Sequence, residues 1–382
     1  MRPTGVITDA KQLTPAWLTR VLKGKNILWG GRVARISRDS LSSVTSSMSR
    51  LELRYSGDVR EEAPQRLLLK CSIPHDRAGG LVGRRLVEAG RREVEFYNAV
   101  AAHMAAMDPA PVVRCIDARY SPERGCGHVL LEDMSETHSV PPWPLPPLKE
   151  QCEQAVDVLA RCHAFWWEDP RLGQGVGEIP GKEYVSALVQ ELEAKFSGFV
   201  DFLGDRLTGE NRRLYERYFS SILPRSFGPR GLGRASERRA ITLVHGDGNW
   251  WNFLYPRDPA GRRVYVIDWQ AWHIGIGTDD MVDLIGLHLD PERRHALETD
   301  LLKRYHGKLV EEGVERYGWA DCWDDYRESA IRCLAVPVWQ WAVGMPAHIW
   351  WPSLNRILQT CADLHCEELL GAPIGDRSLG SG

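Results

Sequence analysis

Net charge, patterned cysteine and uninterrupted apolar length are all scarce in this chain of 382 residues. Lysine and arginine total 48 against 51 aspartates and glutamates, a formal net charge of -3, so there is no basic surplus and nucleic acid is argued against as the main partner. The nine cysteines are odd in number and follow no regular spacing, which excludes a disulfide framework and fits reduced thiols in a cytoplasm. A single apolar window, Cys333 to Trp351, approaches the length of a membrane span, but Pro337, Gln340, Pro346 and His348 interrupt it, and it reads as a broken buried helix. Met1-Arg2-Pro3-Thr4-Gly5 lacks the apolar core of a signal peptide and no lipidation signal follows. The expectation is a cytoplasmic protein with no membrane partner, a monomer or homodimer, long enough for two sizeable cores.

The informative part is Val244-His245-Gly246-Asp247-Gly248-Asn249-Trp250-Trp251-Asn252, followed by Val264-Tyr265-Val266-Ile267-Asp268-Trp269. Thr242, Leu243 and Val244 form a short apolar run ending in a turn, which suits a strand that delivers Asp247 onto a loop. Asn252 lies five positions later, close enough for one loop to hold both side chains over a single phosphate and metal. After the turn signal Asp258-Pro259-Ala260-Gly261, residues 264–267 form a second run, and the two runs read together as a hairpin with Asp268 at its far end. One carboxylate to receive a hydroxyl proton, with an Asn/Asp pair to hold magnesium, is what phosphoryl transfer requires. Oxygen donors suit Mg2+, which takes one or two carboxylates alongside substrate phosphates and retained waters. No His/Cys cluster competes for another metal, and the reading is a kinase.

At these residues the chain resembles the aminoglycoside phosphotransferase and choline kinase-like family, including its ecdysteroid kinase-like branch, distant relatives of the protein kinases. His245-Gly246-Asp247 with Asn252 looks like the family's catalytic loop, and Ile267-Asp268-Trp269-Gln270 like its metal-binding segment, with Trp269 where Phe is commoner. By that resemblance Asp247 is the catalytic base, Asn252 and Asp268 hold the metal, His245 braces the loop, and Asp280 supports it from below. Neighbouring Asp279 and Asp283 leave the register of that last role open. The implied fold is α+β and bilobal, protein kinase-like, with a small antiparallel-sheet N-lobe over 1–133 and a larger, mostly helical C-lobe over 134–382.

The remaining parts can be sought along the chain. Thr14-Pro15 predicts a capped opening helix to about Leu22, and Val33 to Ile36, Leu51 to Tyr55 and Leu67 to Ile73 read as strands. Lys70 stands alone among apolar neighbours in the third, and an ammonium there must point outward or meet an anion. The resemblance makes it the lysine on the α/β-phosphates of ATP. From Leu86 to Met104, Val87, Gly90, Val94, Tyr97, Ala101 and Met104 recur on one helical face; stepping about 100° per residue puts Glu93 at its border and Glu88 and Glu95 opposite. Glu93 is therefore the expected partner of Lys70. The segment 39–50 occupies the place of the phosphate-covering loop but contains no glycine, so Ser46 and Ser47 are the candidates to cradle phosphate. Gly127 to Met134 resembles the hinge, where backbone near Glu132 and Met134 would meet adenine.

Beyond the proline-rich 141–147 the pattern is helical, over Lys149 to Trp167 and Tyr184 to Leu203. Leu159 to Ala164 resembles a stretch shared by the family, and His163 on that apolar face is taken as a core histidine. The Arg/Gly-rich stretch Arg225 to Arg239 reads as a loop that could lend an arginine to phosphates. The chain has 15 tryptophans, and those on the C-lobe helices, Trp339, Trp341, Trp350 and Trp351, with Trp272 just after the metal Asp, tilt the acceptor toward a bulky hydroxylated natural product such as an antibiotic; Trp272, Trp339 and Trp341 are the candidates to bind it. Asp321, Asp324 and Asp325 are the acids that could receive a polycation. An amino-alcohol or sugar kinase stays open, as do GTP in place of ATP and a nucleotide-binding pseudokinase serving as a scaffold.

Overall fold

Burial alternates strictly along residues 66–72, and that period of two sets which of their side chains can meet. In the computed structural model, which describes residues 5–41, 46–60, 62–72, 80–142, 145–221, 234–235, 237–258, 260–261 and 263–371, a five-stranded antiparallel sheet runs β1 (Arg32–Leu41), β2 (Ser46–Ser56), β3 (Arg66–Ser72), β5 (Cys126–Glu132), β4 (Cys115–Ser121) in spatial order. Leu67, Leu69 and Cys71 of β3 join Leu51, Leu53, Ile116 and Leu130 in one core. Helix α1 (Pro15–Gly24) covers this face with Trp17, Leu18, Val21 and Leu22; the Thr14 hydroxyl caps it by accepting the Trp17 amide at 3.1 Å. Lys70 is thereby turned to the opposite face. Strand β4 has no counterpart in the sequence reading, although Ile116 and Ala118 are buried in it.

Helix α2 (Gly80–Glu95) passes through a π turn at Phe96–Val100 into α3 (Ala101–Met104). Val94, Tyr97, Ala101 and Met104 of the expected inward face are buried, whereas Val87 is exposed. The short strands β6 (His138–Ser139), β8 (Phe253–Pro256) and β9 (Tyr265–Val266) make a further sheet in the order β6-β8-β9. This corrects the expected hairpin: β9 pairs with β8, Phe253 opposite Val266, while β7 (Thr242–Val244) pairs with β10 (His273–Gly275). The cause is local, since a 3-10 turn at Trp250–Asn252, with Trp250 and Asn252 buried, redirects the chain into β8.

Contacts divide the chain into two compact units, one of Met1–Ala78, Gly83–Val158 and Trp250–Trp272, the other of Gly79–Val82, Leu159–Asn249 and His273–Gly382. After α4 (Lys149–Phe165), the second unit is built mainly of α5 (Lys182–Leu203), α6 (Gly209–Ser221), α7 (Thr278–Val282), α8 (Pro291–Glu311), α9 (Trp319–Cys333), α10 (Ala335–Ala342) and α11 (Ala347–Asp363). The apolar window is broken as expected: α10 stops at Ala342, Gly344 takes a φ of +80°, and Pro346 stands at the start of α11. Among the described residues no helix is long and apolar enough to cross a membrane. The architecture is α+β and bilobal, an antiparallel-sheet lobe and a helical lobe, consistent with the protein kinase-like fold.

Candidate active site

In the first unit, Lys70 lies between two carboxylates. Its Nζ is 2.9 Å from Glu93 Oε2, 3.0 Å from Glu93 Oε1 and 2.5 Å from Asp268 Oδ1. The Lys70 side chain is 12% exposed and that of Glu93 6%. Burial works against the ammonium, but the Asp268 and Glu93 carboxylates outweigh it and hold the pKa above the usual lysine range. Two carboxylates on one ammonium leave this cluster with a surplus negative charge, which suits it to a further cation.

The second carboxylate is held by its neighbours. Asp268 adopts the left-handed conformation, φ 64° and ψ 52°, which a non-glycine residue keeps only when its surroundings demand it. On one side the Ile267 amide donates to the Asn252 carbonyl at 2.9 Å. On the other the Trp269 indole donates to the Val266 carbonyl at 2.9 Å and stacks on Phe96, centroids 4.1 Å apart and planes 7° from parallel. Phe96 lies three residues after Glu93, so this stack ties the Asp268 turn to the helix that carries Glu93. Trp269→Ala is expected to destabilise the protein by about 3–5 kcal/mol, with Trp269→Phe far milder, as read from chemical denaturation. Equal midpoints for the two variants would count against the stack.

Asn252 is buried, and its backbone is tied to the residue before Asp268. An amide oxygen and a carboxylate are hard donors that fit Mg2+ rather than a softer metal. Among the described residues no group of three or more His, Cys, Asp or Glu could hold a metal instead. Ser46 is buried and lines a cleft with Lys70, Ser72, Gly90, Glu93 and Gln270. The segment 39–50 proves to be mostly strand, with Asp39 opposite Arg50 and Leu41 opposite Met48. Ser46 and the exposed Ser47 therefore begin β2, and residues 42–45 lie outside the described residues. In the stretch expected to meet adenine, the Glu132 amide donates to the Arg114 carbonyl, and the Met134 carbonyl accepts the Thr137 and His138 amides.

Trp272, expected at the acceptor, is buried, with its indole donating to the Arg92 carbonyl at 2.8 Å and its own carbonyl accepting from Arg92 Nη1 at 3.1 Å. Its ring meets Phe96 edge-on, so it clamps the Glu93 helix.

In the second unit β7 delivers the His245-Gly246-Asp247 loop. The backbone amides of His245 and Gly246 donate to Asp280 Oδ2 and Oδ1 at 2.7 and 2.8 Å, Gly246 with a φ of +74°. Asp280 is buried and receives His163 Nε2 at 3.1 Å, while His163 Nδ1 lies 2.9 Å from the Tyr305 hydroxyl. Burial pushes the Tyr305 pKa well up, so its hydroxyl keeps its proton beside Nδ1, while Nε2 faces the Asp280 carboxylate. Burial opposes the Asp280 charge, yet the His163 hydrogen bond and the nearby histidines hold its pKa below the usual carboxylate range. Of the neighbouring acids, Asp280 takes the His245 and Gly246 amides, whereas Asp279 pairs with Arg332 and accepts from Ser329 Oγ. Asp247 is half-buried, its Oδ1 accepting from Asn249 Nδ2 at 3.2 Å. Sequence reasoning set His163 aside as core; its place on an apolar face gave no sign of the carboxylate beneath the loop.

Trp339 and Trp341 are half-buried on α10, and Trp341 leans on Phe199 and Phe202 with centroids 5.4 and 5.7 Å apart. Asp325 is no open acid. It is buried against Arg234 at 2.7 Å and the Tyr317 hydroxyl at 3.0 Å, which accounts for one arginine of the 225–239 stretch; residues 225–233 and 236 lie outside the described residues.

The model of the ecdysteroid kinase-like family matches residues 42–316, a span that contains both clusters. No curated protein matches the chain. Among solved structures, a putative aminoglycoside phosphotransferase from Ralstonia eutropha superposes with a TM-score of 0.50 at 15% identity, over 91% of this chain and 97% of that one. A choline kinase from Cryptosporidium parvum gives a TM-score of 0.51 at 12% identity, over 87% and 90%. At such identities the likeness is one of fold.

Proposed function

The chain belongs to the ecdysteroid kinase-like family, and from that premise we propose that it is a small-molecule kinase moving the terminal phosphoryl group of ATP to a hydroxyl of a bulky natural product. The observation that carries this reading is the Lys70 ammonium held between Glu93 and Asp268. A cation fixed by two carboxylates is preorganised to meet triphosphate oxygens. Asp247, on a loop anchored through its neighbours' amides, orients the acceptor hydroxyl and takes its proton. Asn252 and Asp268 are the residues that would hold magnesium, whose contribution when bound is to neutralise charge on the phosphates. The transition state is loose, so positioning and electrostatics supply most of the acceleration.

Three observations favour an acceptor that is hydroxylated and largely apolar. The family's name refers to ecdysteroids. Asp325 is consumed by Arg234 and Tyr317 and so is not offered to a polycation. The helices α5, α10 and α11 gather Phe199, Phe202, Trp341 and Trp350 into one aromatic group that can hold a ring system. The test is incubation with ATP and Mg2+ against hydroxylated steroids, antibiotics, sugars and amino alcohols, read by mass spectrometry. A phosphorylated polycyclic alcohol is the expected product, lost on adding a chelator. A library in which only amino alcohols or sugars react would move the acceptor class, and one with no product and no ATP consumed would point to a scaffold.

A further inference from the structure

Asp280 and Asp283 are three residues apart, one helical turn, and their side chains therefore rise on the same side of the chain. Asp280 takes the two amides that precede Asp247. Asp283, the first residue of a π turn at Asp283–Leu287, accepts from the amide that follows it, Gly248, at 3.3 Å on Oδ2. Its other oxygen lies 3.7 Å from the Cys333 thiol, which donates to it, and its backbone carbonyl is 2.6 Å from His288 Nδ1. Gly248 is seated directly on this turn: a Cβ there would stand 2.9 Å from the Asp280 carbonyl oxygen and 3.2 Å from Asp283 Cβ, so no larger residue lets the loop lie so close.

We propose that Asp283 is a positioning residue for Asp247, holding the chain just after the base as Asp280 holds it just before. The proposal rests on reading Asp247 as the base. The groups around Asp283 are Asp279 and Asp280 on its own segment, Asp247 on the loop, Cys333 and, through Asp279, Arg332 from α9, and His288, with Arg356 of α11 near that histidine. Burial, with Asp280 and Asp247 adding repulsion, pushes the Asp283 carboxyl up to about 8. Near neutral pH it is mostly protonated, and an asparagine reproduces its shape and its acceptor oxygen. Above that range a second negative charge appears beside Asp247.

The test compares Asp283→Asn with Asp283→Ala. The alanine variant should lose about 10²-fold in kcat with KM for ATP unchanged, and asparagine should restore most of it at pH 7. Hydrogen exchange of the 244–252 segment should quicken in the alanine variant alone. The wild type holds a proton when folded that it releases on unfolding, so its stability falls as pH rises from about 4 to about 8, and the melting temperature of Asp283→Asn should gain on it across that window. Equal kcat and equal exchange in the two variants would overturn the proposal. Exchange and melting do not depend on turnover, so they report on this clamp even where Asp247→Asn remains active and the base assignment fails.

Discussion

Asp247→Asn is expected to lower kcat by about 10²- to 10⁴-fold, the usual worth of a positioned general base, while ATP affinity and melting temperature stay near those of the wild type. The amides of His245, Gly246 and Gly248 anchor the loop on Asp280 and Asp283, and the half-buried Asp247 side chain accepts from Asn249 Nδ2. Asparagine keeps the shape of the side chain and one acceptor oxygen, so the change takes away a proton acceptor without opening a cavity. Calorimetry for nucleotide affinity and steady-state kinetics with the acceptor found by the library screen would check both halves. Turnover within threefold of the wild type would remove Asp247 from the base role.

Lys70→Met should have the second large effect, and it should fall on stability and activity together. Without the ammonium, Glu93 and Asp268 are left as neighbouring carboxylates in a mostly buried setting, and breaking such a pair by removing one partner costs about 3–5 kcal/mol. The folded ammonium keeps its proton to higher pH than the unfolded one. Its stabilisation is therefore fully present below the ordinary lysine range and is lost only in strong alkali. On the kinetic side, loss of a preorganised charge on the phosphates should lower kcat by about 10²- to 10³-fold. The double variant Lys70→Met/Glu93→Gln separates the two, because it removes one stranded charge and should recover part of the stability but none of the turnover. A single variant as stable as the wild type, or a double variant no more stable than the single, would mean that the cluster is not an electrostatic unit.

What could be read along the chain was whatever depends on near neighbours. The period of two in β3 turns Lys70 away from Leu69 and Cys71, and the helical phase of 86–104 brings Glu93, rather than Glu88 or Glu95, to the inward border. The order of His245, Asp247, Asn252 and Asp268 is likewise a property of the chain itself, and it carries the kinase reading without any contact.

Pairings across long separations were another matter. Lys70 and Asp268 are 198 residues apart, and His163 and Asp280 117, and a periodic pattern names a face but not what lies against it. Strand β7 looked ready to pair with β9 and pairs instead with β10, because the buried Trp250–Asn252 turn starts a strand between them. Trp272, Asp325 and the three clustered acids at 279, 280 and 283 were chemically eligible for several roles, and only the groups brought against them selected one. The chemistry this protein carries was determined by its residues in order. Which carboxylate takes the loop's amides and which tryptophan clamps a helix were decided by packing, since burial forces each polar group onto whichever partner the fold supplies.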